Sequence, residues 1–152
     1  MRKPVWLFSE GSLKRRDLLG NKGANLCEMT SLGILVPFGF IITNETHLEY
    51  QRLRQRIPEG TIEEVRAALF KMEIRQGAKF GNPVNPLLVS VRSGASVSMP
   101  GMMDTLLNLG INDEIVEGLA KLTANLRFDY DTYRRFLQLY GAVVGGQGIH
   151  PY

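Results

Sequence analysis

Apolar positions recur with a period of two in some stretches of the chain and with a period near 3.6 in others, so short strands are predicted to alternate with helices. Val5 to Phe8 is predicted as a short strand ended by the turn Glu10-Gly11-Ser12, with the charged stretch after it as a solvated connection. Good helix formers take over at Ala24-Asn25-Leu26-Cys27-Glu28-Met29. Leu26, Met29 and Leu32 give this helix an apolar side, and Gly33 is its stop. Val36, Phe38, Phe40 and Ile42 form the bulky face of a second strand. Thr43-Asn44-Glu45 then caps a short helix bearing His47 and Tyr50. Thr61-Ile62-Glu63-Glu64 is a capping box, and Ile62, Val65, Leu69 and Met72 share a helix face expected to pack on a sheet.

The breaker cluster from Gly81 to Pro86 delivers the chain into a strand, Leu87 to Arg92. Leu87, Val89 and Val91 share one face of it, and Leu88, Ser90 and Arg92 the other. Leu106-Leu107-Asn108-Leu109 is the next strand, closed by Gly110. Beyond Gly110 only helical periodicity remains, with Ile115, Leu119, Leu122 and Leu126 on one stripe and Tyr133, Phe136, Leu137 and Tyr140 on another. The pattern predicts an α/β (α+β) fold, a mixed sheet with flanking helices in 1–110, and a helical subdomain in 111–144, which the family resemblance given below implies is incomplete. The last residues, 145–152, lose periodicity and form a divergent or frayed tail.

Composition narrows the class. At 152 residues and 44% hydrophobic, the chain has the size of one domain with a real core. Its net charge of +3, from 18 basic and 15 acidic residues, lacks the dense basic face of a nucleic-acid footprint. A single cysteine, Cys27, excludes an intrachain disulfide and points to a reducing cytoplasm. The short run Val5-Trp6-Leu7-Phe8 is too brief for a signal-peptide core or a membrane span. His47 has no second histidine or cysteine at metal-ligand spacing, so it is expected to be structural, and no metal motif is present.

The chemistry concentrates between the last two strands. From Ser93 to Asp104 the chain carries Gly94, Gly101, serines and Pro100, which let backbone N–H groups approach an anion closely. Arg92, whose planar guanidinium forks onto phosphate oxygens, stands at the mouth of this loop. A plain hairpin turn with a solvated or carboxylate-paired Arg92 accounts for the same spacing. Met99, Met102 and Met103 suit either a small core or an apolar wall under a purine. Lys22 falls in the first turn of the helix that starts near Gly23. A lysine there is unfavourable to the helix dipole but useful to a docked phosphate; otherwise it is a solvated surface cation.

Four segments together resemble the pyruvate, phosphate dikinase family, in its amino-terminal nucleotide-binding domain of the ATP-grasp type. They are Gly20-Asn21-Lys22-Gly23-Ala24-Asn25-Leu26, Val36-Pro37-Phe38-Gly39-Phe40, Val89-Ser90-Val91-Arg92-Ser93-Gly94-Ala95 and Ser98-Met99-Pro100-Gly101-Met102-Met103-Asp104-Thr105. The similarity continues through Tyr130 to Tyr140 and ends at about Val144. It implies the first lobe of an ATP-grasp domain followed by the start of a helical subdomain. It also implies that Lys22 and Arg92 contact the phosphates of ATP carried with Mg, and that Gly94, Gly101, Met102, Met103, Asp104 and Thr105 belong to the lid around them. Asp104 is expected to stabilise a turn rather than act as a base.

In the whole family enzyme, as the resemblance implies, ATP, pyruvate and phosphate become AMP, phosphoenolpyruvate and diphosphate through a phosphohistidine on another domain. The magnesium-binding carboxylates and the second lobe lie beyond the matched region, and neither His47 nor His150 suits the phosphorylated histidine. Ser96-Val97 stands where the family usually has a basic residue and alanine. The alternative expectation is a non-catalytic, truncated or split fragment that folds and associates with itself or another chain through its helical part, where Tyr133, Phe136 and Tyr140 would lack cover.

Overall fold

The computed structural model describes residues 3–94 and 105–144. These residues form two compact units, one of 3–75 with Gly94 and the other of 76–93 with 105–144.

In the first unit, strand β1 (Val5–Leu7) pairs antiparallel with β2 (Phe40–Ile42), Trp6 standing opposite Ile41. A 3-10 turn over Phe8–Glu10 and another over Leu13–Arg15 lead into helix α1 (Arg16–Ser31). The charged stretch expected to be a solvated connection is thus exposed but helical. Leu19, Ala24 and Cys27 make the core, with Trp6, Phe8, Leu13, Leu18 and Ile41 packed around them. That is a different face of α1 from the predicted one: Met29 and Leu32 are exposed. The reason is close approach. A Cβ on Gly11 would stand 2.5 Å from Cys27 Sγ, and one on Gly23 2.8 Å from Ile41 Cδ1. Small residues draw α1 onto β1 and β2 along the Leu19, Gly23, Cys27 side, and the larger residues are left outside.

The second predicted strand shortens to β2, and its faces are exchanged: Ile41 packs inward while Ile42 is half exposed. Thr43 caps α2 (Asn44–Arg52), its Oγ1 accepting from the Thr46 N–H at 3.3 Å. On this helix His47 stacks on Tyr50 and lies 3.0 Å from Gln51 Nε2 through its own Nε2.

Helix α3 (Thr61–Gln76) forms where expected, but the capping box does not. Gly60, at φ 77°, precedes the helix and its carbonyl accepts from the Glu64 N–H, so Thr61 already lies in the first turn. Its buried hydroxyl has no hydrogen-bond partner among the described residues. The buried face is Thr61, Ala68 and Met72, and Ile62 is exposed.

In the second unit, Asn82 Oδ1 accepts from the N–H groups of Val84 and Asn85, which folds the Gly81 to Pro86 cluster into a tight turn. Strand β3 (Val89–Arg92) then pairs antiparallel with β4 (Thr105–Leu109). Among the described residues the strands thus form two separate antiparallel pairs in place of the mixed sheet expected from the pattern. Helices α4 (Asp113–Thr123) and α5 (Leu126–Val143) follow, capped by Asn112 and Asn125 side chains. Leu106, Ile111, Ile115, Val116 and Phe136 share one core, so by packing Gly110 lies inside this unit rather than at its edge. Leu122, Leu126, Leu137 and Tyr140, placed on the apolar stripes by periodicity, are exposed by 44% or more. The turn between the helices is held by Asp129, 2% exposed, which accepts a hydrogen bond from the Thr123 hydroxyl.

Candidate functional site

Two places in the fold carry residues that the sequence marks for phosphate chemistry. Each belongs to a different unit.

The first is in α1. Gly20 has φ 71° and ψ 169°, far from helical values, so the helix breaks there and starts again at Asn21. A restarted helix offers a fresh set of N–H groups without intrahelical partners and a partial positive charge. Lys22 sits in that first turn, half exposed, and forms no ion pair among the described residues. Gly23 beside it has no room for a side chain because Ile41 lies against it. The predicted position of Lys22 at a helix start is therefore met, by a break inside a longer helix. The signal in the sequence is the glycine between Leu19 and Asn21.

The second is the loop end of the β3–β4 hairpin. Arg92, the last residue of β3, stands opposite Thr105, the first residue of β4. Residues directly opposite in an antiparallel pair project to the same face. The neighbouring pair, Val91 and Leu106, projects to the other face, where Leu106 joins the core. Arg92 is exposed and makes no ion pair among the described residues; an arginine side chain carries five N–H donors. Ser93 and Gly94 follow it, exposed, and no atom lies within 4 Å of where a Gly94 Cβ would be. Of the predicted lid residues, Gly101, Met102, Met103 and Asp104 lie outside the described residues, as does Met99.

Pairing between β3 and β4 is not regular. Val89 stands opposite Leu109 and Val91 opposite Leu106, so one residue on β3 faces two on β4. Asn108, one of those two, has φ 59°. This bulge was not legible from the period-two pattern; the Asn-Leu-Gly run at 108–110 is the only local sign of it.

No group of three or more His, Cys, Asp and Glu residues is placed to hold a metal ion among the described residues. No helix among them is long and apolar enough to cross a membrane.

Over residues 44–140 the chain matches the family described as pyruvate phosphate dikinase, AMP/ATP-binding domain. It is 52% identical over 139 residues to the pyruvate, phosphate dikinase of Entamoeba histolytica, covering 91% of this chain and 16% of that protein. It is 53% identical over 144 residues to the pyruvate, phosphate dikinase of Clostridium symbiosum, covering 95% of this chain and 16% of that protein. The corresponding protein of Giardia intestinalis is 56% identical over 131 residues, 86% of this chain and 15% of its own length. This chain therefore spans about a sixth of the relatives it matches. The family match includes Arg92 and Thr105 and begins after Lys22, whereas the Clostridium symbiosum match leaves too few residues uncovered to exclude Lys22. With the family matched over most of the chain and relatives more than half identical across nearly all of it, the chain belongs to the pyruvate, phosphate dikinase family, in its AMP/ATP-binding domain.

Proposed function

We propose that this chain supplies ATP-phosphate contacts in the first lobe of an ATP-grasp domain, within a pyruvate, phosphate dikinase-type phosphotransferase of the cytoplasm. The observation that carries this is the loop end of the β3–β4 hairpin, where Arg92, without an ion-pair partner among the described residues, shares a face with Thr105 at the two ends of the glycine-containing loop. Phosphoryl transfer asks a protein mainly for positioning and for positive charge against the spread negative charge of the transferring group. Arg92 suits the bidentate part of that work, and Lys22 the part of a point charge at a helix start. Gly94, Gly101, Met102, Met103, Asp104 and Thr105 are the proposed lid, with backbone N–H groups toward phosphate. ATP would be bound together with Mg, which would supply charge neutralisation at its phosphates; among the described residues no group of three or more His, Cys, Asp and Glu residues is placed to hold that ion.

In the whole enzyme the bound ATP would phosphorylate a histidine on another domain, and that phosphate would pass to pyruvate. The sequence here offers the phosphate ligands of the first step only. Calorimetric titration of the chain with Mg-ATP, beside Lys22→Ala and Arg92→Ala, tests the reading. Binding weakened about tenfold or more by each substitution supports it, as expected for losing a hydrogen-bonded charge. Absence of heat with folded wild-type chain refutes it.

A second reading, association of the helical part with another chain, keeps only Tyr140 of the three aromatic residues expected to lack cover, 44% exposed beside Leu137 at 52%, because Phe136 is buried in the core and Tyr133 packs against it. Sedimentation velocity over a range of concentrations tests it: a monomer throughout excludes self-association.

A further inference from the structure

We infer that Asn108 is a positioning residue for Arg92, acting through the β-bulge rather than by contact with nucleotide. The inference rests on Arg92 being the phosphate ligand proposed above.

The strand register gives the reason. Val89 stands opposite Leu109. Counting one residue for one from that pair would bring Ser90 to Asn108, Val91 to Leu107 and Arg92 to Leu106. Side chains alternate along a strand, so Leu106 and Leu109, three residues apart, would then project to opposite faces. Leu106 would share the face of Arg92. Keeping Leu106 in the core would turn Arg92 to the core side of the sheet, the side of Val91, which stands opposite Leu106 and is 47% exposed; turning Arg92 to the other side would take Leu106 with it.

The structure avoids this choice. Leu106 is buried in the core and Leu109 packs against the same cluster, so both face inward. One extra residue on β4 makes that possible, and the backbone that absorbs it is the left-handed Asn108. Beyond the bulge Arg92 pairs with Thr105 instead of Leu106, on the face away from the core. The Asn108 carbonyl accepts from the Ile111 N–H at 3.2 Å, which ties the bulge to the turn before α4. Asparagine and glycine adopt left-handed backbone readily, whereas a β-branched residue does so only under strain. Asn108→Gly should therefore keep the register, and Asn108→Val should lose it.

The test has two readouts on the whole chain. Cross-strand proton contacts by NMR should join Arg92 to Thr105 in the wild type and in Asn108→Gly, and join Arg92 to Leu106 in Asn108→Val. Persistence of the Arg92 to Thr105 contact in a folded Asn108→Val protein overturns the inference. Should that variant fail to fold, Asn108→Ala is judged by the same contacts. In titration with Mg-ATP, Asn108→Val should bind at least about fivefold more weakly, Asn108→Gly as the wild type, and the Asn108→Val, Arg92→Ala double variant no more weakly than Arg92→Ala alone. Losses that multiply in the double variant also overturn it, because Asn108 would then act other than through Arg92. If the wild type itself binds no Mg-ATP, the proposed function fails while the NMR contacts still decide the role of Asn108.

Discussion

Arg92 and Thr105 stand opposite one another at the loop end of an antiparallel hairpin, thirteen positions apart in the chain and side by side on one face of the sheet. The loop between them begins and ends at that pair, which is why Arg92 is the phosphate ligand proposed for it.

Arginine at this position is expected to be more than a positive charge. Arg92→Lys keeps the charge and loses the planar fork, so nucleotide affinity should fall, by less than in Arg92→Ala. Equal affinity in Arg92→Lys and wild type, measured by calorimetry, would mean that the fork is unused.

Gly118 on α4 lies under the loop that holds Pro83. A Cβ there would run into the Pro83 carbonyl group, which is backbone and yields only by moving the turn. Alanine in a helix gains about 1 kcal/mol over glycine, while overpacking costs about 1–3 kcal/mol. The overlap is deep and with backbone, so the clash should win. Gly118→Ala should lower the melting temperature; a rise would show that the 81–86 turn shifts freely.

Thr123 serves the buried Asp129 carboxylate and also accepts from the Asn125 N–H at 3.2 Å. Thr123→Val keeps the shape and removes both bonds. Leaving a buried acceptor short of a partner costs about 1–3 kcal/mol. Denaturant unfolding of Thr123→Val should show that loss, and adding Asp129→Asn to Thr123→Val should restore part of it.

Acid should weaken the first unit through Glu10. Partial burial opposes ionisation of its carboxyl, but the hydrogen bond and charge of Lys3 and the Leu7 N–H, which donates at 2.8 Å, outweigh it and hold the pKa below the usual carboxylate value. A carboxyl with a lowered folded pKa stabilises fully above its unfolded value and loses that stabilisation as pH falls through the folded one. Trp6, the single tryptophan, packs against this unit's core and reports its unfolding by fluorescence. Glu10→Gln should be less stable than wild type near neutrality and converge with it in acid. A difference independent of pH would show that the charge of Glu10 is immaterial.

Cys27 is fully buried, and burial pushes its thiol above the ordinary value. A thiol reagent should therefore react with the native chain much more slowly than with the unfolded one, at a rate set by opening of the first unit. Prompt reaction in the native state would mean that α1 separates readily from Gly11.

Helix existence was legible in the pattern because amphipathic periodicity and end signals act within one or two turns. Thr43 as a cap, Gly33 at φ 74° after α1, and the turn at 81–86 are such local effects. The burial faces were not legible. Leu26, Met29 and Leu32 are apolar at helical spacing, yet α1 buries Leu19, Gly23, Ala24 and Cys27, because contact distance favours small residues where backbones approach. On α3, likewise, Ala68 is buried and Ile62 is not.

Of the proposed site, the residue types and their order were in the sequence: a lysine after a glycine break, an arginine at the end of an apolar strand, and glycines in the loop after it. Family membership follows from the sequence as well, over residues 44–140. Only the tertiary structure decided which face Arg92 occupies. Strand alternation alone leaves an ambiguity between Leu106 and Leu109, and it is resolved by a core that must take both leucines, at the expense of one left-handed residue at Asn108. Local sequence specifies the backbone that can form; burial of the whole core selects the register in which it does.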